Sequence, residues 1–532
     1  MYSTAFNDPA AQIQAHVQHG YDPASHTEAS YVQTHFDQTS FGNAPSEQAT
    51  TAFQSTTSAV PKNKGESSGK PVVLLTCAML SFLVASMAIT AFVLWGASST
   101  LSTTTEDDRT GYNWYPKVVY RGNVEIRVAA NPATETTGVT PSITVGPEKL
   151  FCTYGRRTTS DAVMASDGLC DVAFYDSIYA NNTNFLYGGR PFEPDLITFM
   201  RAATRYTRTT LGVAFAFQHM DRLGNDLRKT NPCPLELFWH SGIYHTGILD
   251  TPANSSRNQM TTAMYRLREL DNLGQSQRAL GHQPLTVLAV PAPGRQWMYF
   301  LDEEFKRLQF IPNYIVVYGH YRFGDNTVDN CAVMPPTRLS AVALPPQLRT
   351  TYLYELTAGP QALRELERKQ VPTHALLSVT MKGRWTTVYP GQPLDFFSRC
   401  ELNPSATSFG SYAEVCKDRN YQYNLRYEPQ HYAVLTYEST NRSAFTYDNE
   451  DGLAAKLCKV KYQERDVTFG IAAYDVDYDD YANECGSINK FGENSRLKAL
   501  RKIVDFYKNL SSQMFNEASC TSAFSSTFPL PA

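Results

Sequence analysis

Short runs of aliphatic and aromatic residues recur between residues 149 and 476, separated by more polar stretches. They read KLFCTYG (149–155), CDVAFYDSIY (170–179), TLGVAFAF (210–217), YHTGILDT (244–251), PLTVLAVP (284–291), YIVVYGHY (314–321), HALLSVTM (374–381) and FGIAAYDV (469–476). Most are apolar at consecutive rather than alternate positions, the pattern of a strand buried on both faces. Between several of them the apolar spacing turns helical, over PDLITFMRAATRY (194–206), MTTAMYRLRELDNL (260–273) and GPQALRELERKQ (359–370). Strands alternating with helices imply a parallel sheet covered by helices. Eight such units predict an α/β fold, a TIM-type (β/α)8 barrel with insertions, in preference to an open sheet. No fixed-period repeat accompanies them.

A longer apolar run, VVLLTCAMLSFLVASMAITAFVLW (72–95), lies upstream, and no charged residue occurs between Lys70 and Glu106. As a helix it spans roughly 36 Å at ~1.5 Å per residue, enough for a hydrocarbon core of about 30 Å. A secretory signal peptide would begin near residue 1, whereas a long polar stretch precedes this run. A buried core helix seldom stays uncharged on every face. One transmembrane helix is therefore expected, with the lipid bilayer as a partner. Lys62, Lys64 and Lys70 precede it, and Glu106, Asp107 and Asp108 follow it. Lys and Arg favour the cytoplasmic side, so the expected localisation is single-pass type II, with the later residues extracellular or lumenal.

The remaining organisation follows from composition. Residues 1–70 are rich in Ser, Thr, Gln, Ala and His and lack apolar periodicity, so a disordered cytoplasmic tail is expected. Tyr21 and Tyr31 within it read either as sorting tyrosines or as isolated tyrosines without a role. The expected order is a membrane helix over 71–96, a stalk or linker over 97–147, a barrel ectodomain over 148–520 and a C-terminal tail over 521–532. A formal net charge of −4 gives no reason to expect nucleic acid as a partner. Of ten cysteines only Cys77 lies inside the apolar run, a distribution suited to an oxidising compartment. Asn181, Asn254, Asn441 and Asn509 head N-x-Ser/Thr sequons, candidate glycosylation sites on that side.

The residues after the last run carry a resemblance. GIAAYDVDYDDYANEC, from Gly470, is similar to the eighth strand of glycoside hydrolase family 18, the chitinases and chitinase-like proteins. Tyr474 stands where that family has tryptophan, and Asp477, Asp479, Asp480 and Tyr481 match the rest of the block. SAFTYDNEDGLAAKLCKVK (443–461) and SYAEVC (411–416) resemble the family's segments before that strand, and VTMKGRW (379–385) its seventh strand, with Gly383 and Arg384 retained. The resemblance runs from about residue 150 to 511. It implies disulfides Cys152–Cys170 and Cys416–Cys485, and a small insertion between strands 7 and 8 over about 386–450.

It also implies a chemistry, which this chain departs from. Family members cleave N-acetylglucosamine polymers by a substrate-assisted route, an exception to the two-carboxylate scheme. A glutamic acid at the end of the fourth strand protonates the leaving oxygen, and an aspartate two residues earlier orients the substrate's acetamido group. Aligned on IYHTGILDTPAN (243–254), Asp250 takes the orienting position and Pro252 the position of the acid, with His245 and Ile248 at the earlier aspartates. Proline has no proton to give, and general acid catalysis commonly contributes 10²–10⁴-fold. At the sixth strand Tyr318 is retained from the family's Met-x-Tyr-Asp motif, but Gly319 replaces its aspartate. The expectation is an inactive chitinase-like barrel whose cleft binds an N-acetylglucosamine-type glycan or a protein partner.

The candidate ligand-binding residues are Asp250, Tyr318, Arg384 and Tyr474. Each has a plainer alternative: Asp250 as the cap of a strand-end turn, Tyr474 as a packed residue at the barrel top. Trp385 reads as a sugar platform or as packing of the insertion. Glu303 and Glu304 lie on a helical pattern and read as a solvated face. His245 and His320 have no partner at metal-ligand spacing, so neither a metal nor a cofactor is expected. Asp477, Asp479 and Asp480 read as ties of the strand-end loop. Two other functions stay open: a glycosidase with a relocated carboxylic acid, and a structural or adhesive ectodomain without an open cleft. Cys233, Cys331, Cys400, Cys458 and Cys520 are left unassigned, and their odd number leaves room for a covalent dimer.

Overall fold

The computed structural model describes residues 146–179, 186, 192–228, 233–291, 295–321, 331–340, 344–349, 351–401, 409–509 and 515–525. The expected tail, membrane helix and most of the linker lie outside the described residues, as do Asn181 and residues 526–532. The chain divides into two compact units, Met1–Ala130 and Asn131–Ala532, and the described residues all belong to the second. Among the described residues no helix is long and apolar enough to cross a membrane.

Every apolar run forms a strand: β1 (Leu150–Tyr154), β2 (Val172–Tyr175), β3 (Thr210–Ala214), β4 (Ile243–Ile248), β5 (Thr286–Val290), β6 (Tyr314–Val317), β7 (His374–Thr380) and, last in the chain, Gly470–Tyr474. Five further strands intervene before the last: β8 (Gly383–Thr387), β9 (Phe409–Gly410), β10 (Arg426–Glu428), β11 (Ala433–Glu438) and β12 (Ser443–Tyr447), which makes Gly470–Tyr474 β13. The barrel order β1-β13-β7-β6-β5-β4-β3-β2 closes on itself, and each neighbouring pair is parallel. Parallel pairs need crossovers, supplied here by helices such as α1 (Pro194–Ala203), α2 (Met220–Leu227), α3 (Arg257–Ala279), α4 (Arg295–Leu308) and α5 (Ala358–Arg368). In α4, Glu303 is exposed and Glu304 pairs with Arg307 at its rim.

Burial on both faces explains the unbroken apolar runs. Side chains alternate along each strand, so one set fills the barrel and the other meets the helices. Phe151, Phe174, Val287, Val316, Leu376 and Ala472 form the inner layer. Ile248, Leu288, Ile315, Leu377 and Ile471 belong to the outer core. β4 follows the same parity: Ile248 pairs with Leu288 in the outer layer, while Leu249 turns inward. Helix α3 is longer than its apolar spacing suggests because its ends are set by polar groups. Ser256 and Gln259 form a reciprocal capping box at its start, satisfying two backbone donors that otherwise lack partners.

The insertion is an antiparallel sheet of order β10-β11-β12-β8-β9. It starts at Gly383, slightly before the expected 386, because the run through VTMKGRW leaves the barrel after Thr380, and Met381–Lys382 belong to neither sheet. The Met381 N–H donates to the Tyr474 carbonyl at 2.9 Å, closing β7 against β13 before the chain leaves the barrel. A Cβ at Gly383 would lie 2.0 Å from the Phe445 ring, so only glycine lets β8 pack on that aromatic. Trp385 packs at 4.5 Å between ring centroids against the same Phe445 and edge-on against Tyr421.

Disulfides Cys152–Cys170 and Cys416–Cys485 are present. Cys331 pairs with Cys400, and Cys458 with Cys520, leaving Cys233 as the free thiol among the described residues. The Cys458–Cys520 bond joins α6 (Glu450–Gln463) to a terminal helix, Glu517–Ser525, that runs past residue 520. Each bond closes a loop whose unfolded-state constraint is worth on the order of 3–4 kcal/mol.

Candidate functional site

The eight barrel strands end on one rim, where sites in such barrels lie. Two tyrosines dominate its centre. Tyr318 follows β6 and Tyr474 ends β13, and both hydroxyls donate to the carbonyl of Leu249, just past β4, at 2.7 and 3.1 Å. Around Tyr318 stand Tyr354 (ring centroids 6.0 Å), Tyr474 (5.9 Å) and His320 (5.7 Å), all in edge-on arrangements. These four side chains are between 0% and 7% exposed. These four buried rings pack together at the centre of the strand-end rim.

The backbone around these rings is held by short polar links. Ser378 Oγ accepts from the Gly319 N–H at 3.0 Å and sits 2.7 Å from His320 Nδ1. Gly319 occupies the position where the resemblance implies an aspartate. A Cβ there would meet Leu356 Cδ2 at 2.4 Å and the Ser378 carbonyl at 2.9 Å. The volume an aspartate would use is filled by Leu356.

The fourth strand carries no inward carboxylate. Asp250 Oδ1 accepts the Phe217 N–H at 2.7 Å, tying the end of β4 to the turn after β3. Pro252 is exposed, and its carbonyl accepts both Ser255 N–H and Ser255 Oγ in the turn that leads to α3. Asn254 in the same turn is exposed, as are Asn441 and Asn509. His245 is buried, with Nδ1 accepting the Leu285 N–H at 3.1 Å. Burial lowers its pKa to about 3, so it is neutral near pH 7, and its Nδ1 lone pair is taken up by the Leu285 N–H.

The acidic loop after β13 has two halves. Asp479 accepts from Arg496 Nε at 2.9 Å and from the Leu497 N–H at 3.1 Å. Asp480 accepts from the Glu484 and Cys485 N–H groups and from Asn489 Nδ2 at 2.7–2.9 Å. These two aspartates fasten the loop. Asp475 sits nearer the mouth with a left-handed backbone (φ 59°), paired with Lys382 at 2.6 Å and bonded by Thr380 Oγ1 at 2.9 Å. Burial opposes its charge, but Lys382 wins and holds this carboxyl below the usual range. Asp477 Oδ2 accepts the Arg157 N–H at 3.0 Å, while its buried Oδ1 has no hydrogen-bond partner. Burial, reinforced by the Asp475 charge, pushes it up to about 6. Two carboxyls with pKa values driven apart are the pattern of an acid and base pair. Here, however, Asp477 is only 2% exposed.

Arg384, in β8, is 1% exposed and lies over the Tyr321 ring at 4.3 Å and the Tyr352 ring at 5.7 Å. Tyr321, Tyr352 and Tyr354 also line a small recess, with room for little more than a water molecule, together with Met334, Pro335, Pro336 and Arg338. Sequence reasoning missed Tyr354, Arg338, Leu356 and Lys382. The alternation Tyr352, Tyr354, Leu356 was the available sign of an extended segment packed on one face. No group of three or more His, Cys, Asp and Glu side chains suited to a metal occurs among the described residues.

The architecture is therefore a closed parallel (β/α)8 barrel with an antiparallel insertion sheet and an aromatic mouth. Solved structures similar to this chain include an immunomodulatory active chitinase from Trichuris suis, at 12% identity and a TM-score of 0.48, covering 67% of this chain and 99% of that one. The Group IV chitinase of Ostrinia furnacalis is similar at 14% identity and a TM-score of 0.47, with the same coverages, 67% and 99%. The chitinase-like agglutinin of Robinia pseudoacacia is similar at 11% identity and a TM-score of 0.45, covering 67% and 99%. No protein-family model matches the chain, and no curated protein matches it.

Proposed function

We propose that this chain is a membrane-anchored, chitinase-like barrel that binds a ligand at its strand-end rim without hydrolysing it. The observation that carries this reading is the state of the three positions where the resemblance implies catalytic groups. Pro252 lies in a solvent-facing turn, Asp250 caps a backbone N–H, and the volume beside Gly319 belongs to Leu356. The seat for an N-acetylglucosamine-type glycan or a protein partner is the strand-end rim around Tyr318 and Tyr474. The anchor is the apolar run at 72–95, with the barrel outside or in the lumen. A covalent dimer, if formed by a described cysteine, runs through Cys233.

The test is turnover of a fluorogenic chito-oligosaccharide by the full-length chain, alongside binding on a glycan array. No turnover with array binding supports the reading, and turnover overturns it. One observation favours a second reading, an active glycosidase with a relocated acid: Asp477 titrates near 6 at a strand end. Turnover abolished by Asp477→Asn would establish that alternative. Absence of both turnover and array binding would leave a protein ligand or an adhesive role.

A further inference from the structure

The sequon asparagines among the described residues, Asn254, Asn441 and Asn509, are all exposed but stand at different places on the fold. Asn441 lies in the turn from β11 to β12, where Ser443 pairs with Thr387, at the end of the insertion sheet away from the start of β8. Asn509 ends the helix Ser495–Asn509. Its neighbour Lys508 approaches Asp171, in front of β2, at 3.9 Å, which puts Asn509 at the strand-start pole. Of the three, only Asn254 follows the end of a barrel strand. It shares the turn of Pro252, on the strand-end rim.

That turn is a fixed base. The Ser255 N–H and hydroxyl both donate to the Pro252 carbonyl, at 3.2 and 2.6 Å, which makes Ala253 and Asn254 the central residues of a β-turn. On one side Asp250 accepts the Phe217 N–H at 2.7 Å, and on the other Ser256 opens α3 with its capping box. Beneath the turn, Ala253 packs against the inner-layer cluster that holds Tyr318, Tyr354 and Tyr474. Asn254 is left exposed at the tip. Ser256 completes its sequon, and neither Ser255 nor Arg257 is a proline. A sugar joined to the Asn254 amide therefore starts one residue from the packed rim, on a backbone held from both sides.

We propose that Asn254 carries an N-linked glycan whose first two sugars occupy the strand-end rim as a tethered ligand, which a glycan from outside has to displace. This rests on the glycan-binding reading above and on the lumenal side expected for the barrel. In the modification, Asn254 Nδ2 displaces the pyrophosphate of a lipid-linked oligosaccharide from C1 of its first sugar. One C–O bond breaks, one C–N bond forms, Nδ2 gives up a proton and the lipid pyrophosphate leaves. The first two sugars of such a glycan are β-1,4-linked N-acetylglucosamine, the same unit as the glycan proposed for the rim. A short tether holds them at an effective concentration in the mM range. Against a rim with a Kd of about 0.1 mM, a tethered competitor at about 1 mM weakens binding from outside roughly tenfold.

The test uses the full-length chain made in a secretory eukaryotic host, with Asn254→Gln and Asn441→Gln beside wild type. Glycopeptide mass spectrometry reads occupancy, and calorimetric titration reads chitotetraose binding. The expected result is a sugar on Asn254, roughly tenfold tighter binding in Asn254→Gln, and wild-type affinity in Asn441→Gln. Should Asn254→Gln fail to fold, wild type deglycosylated after folding takes its place. An unoccupied Asn254, equal affinities in wild type and Asn254→Gln, or the same gain in Asn441→Gln overturns the proposal and leaves the glycan-binding reading in place. Binding by none of the three overturns that reading instead, and release of the Asn254 sugar by peptide N-glycosidase then decides the rest. Release from the native chain as fast as from the isolated tryptic glycopeptide overturns the rim position. Release roughly tenfold slower than from that glycopeptide, and slower than from Asn441 or Asn509, upholds it.

Discussion

Tyr318 and Tyr474 approach from different strands and cross edge-on at 68°, their ring centroids 5.9 Å apart, to share one acceptor, the carbonyl of Leu249. That carbonyl belongs to the segment where the resemblance implies a catalytic dyad. Its lone pairs are occupied by the chain's own hydroxyls.

This shared acceptor predicts non-additivity. Removing one hydroxyl, as Tyr318→Phe or Tyr474→Phe, leaves Leu249 with its other donor and costs about 1 kcal/mol. The double variant leaves a buried carbonyl unpaired, which adds roughly 1–3 kcal/mol beyond the sum. Denaturant unfolding of the four-member cycle measures the coupling. Strict additivity would show that the two bonds are independent.

Putting the expected catalytic groups back should fail for a steric reason. A side chain at 319 collides with Leu356 and with the Ser378 carbonyl, and the latter cannot move aside cheaply. Gly319→Ala is expected to lose about 1–3 kcal/mol of stability, partly regained by adding Leu356→Ala. Pro252→Glu combined with Gly319→Asp is expected to give no chito-oligosaccharide turnover. Measurable turnover by that variant would show the mouth to be more open than the packing of Leu356 implies.

The thiol inventory gives a third prediction. Alkylation of the denatured, unreduced chain should modify Cys233 and Cys77, since the other eight cysteines are bridged. Loss of the Cys233 label, together with doubled mass on a non-reducing gel, would place Cys233 in a covalent dimer. Labelling at Cys458 or Cys520 would contradict the bond that fastens the terminal helix.

The barrel was legible because strands buried on both faces leave unbroken apolar runs, and each of those runs became a strand. Limits of elements were less legible where polar groups set them, as at Ser256 and Gln259, or where one run passes from the barrel to the insertion sheet, as at Met381–Lys382. Tyr318 and Tyr474 could be found from the resemblance, but the acceptor that joins them could not, because a backbone carbonyl leaves no trace in side-chain pattern. Gly319 read as a missing carboxylate; what the spacing could not convey is that Leu356 occupies its place. Arg338 and Tyr354 escaped notice because the stretch between β6 and β7 has neither a helical nor a strand period over most of its length. Asp479 and Asp480 read as ties: Asp480 bonds the backbone of its own loop, and Asp479 the first turn of the helix Ser495–Asn509.

Asp477 supplies a pH dependence whose sign distinguishes a buried carboxyl from an ordinary tie. Its pKa is raised from 3.8 to about 6 by burial and by the Asp475 charge. Between those values the folded chain holds a proton that the unfolded chain has released, so stability falls as pH rises through this window. The penalty is absent below about pH 4 and complete above about pH 7, where roughly two pKa units correspond to at most about 3 kcal/mol. His245 works in the opposite sense, because its pKa is lowered to about 3 and folding resists its protonation as pH drops below 6.5. The two effects overlap between pH 4 and 6, and variants separate them. Asp477→Asn keeps an acceptor for the Arg157 N–H, so it is expected to stabilise the chain by roughly 2–3 kcal/mol at pH 8 and to be near neutral at pH 4. Urea unfolding of wild type and Asp477→Asn at both pH values reads the difference. A variant less stable than wild type at pH 8 would mean that the ionised carboxylate is favourable there, and that the raised pKa is not a property of this site.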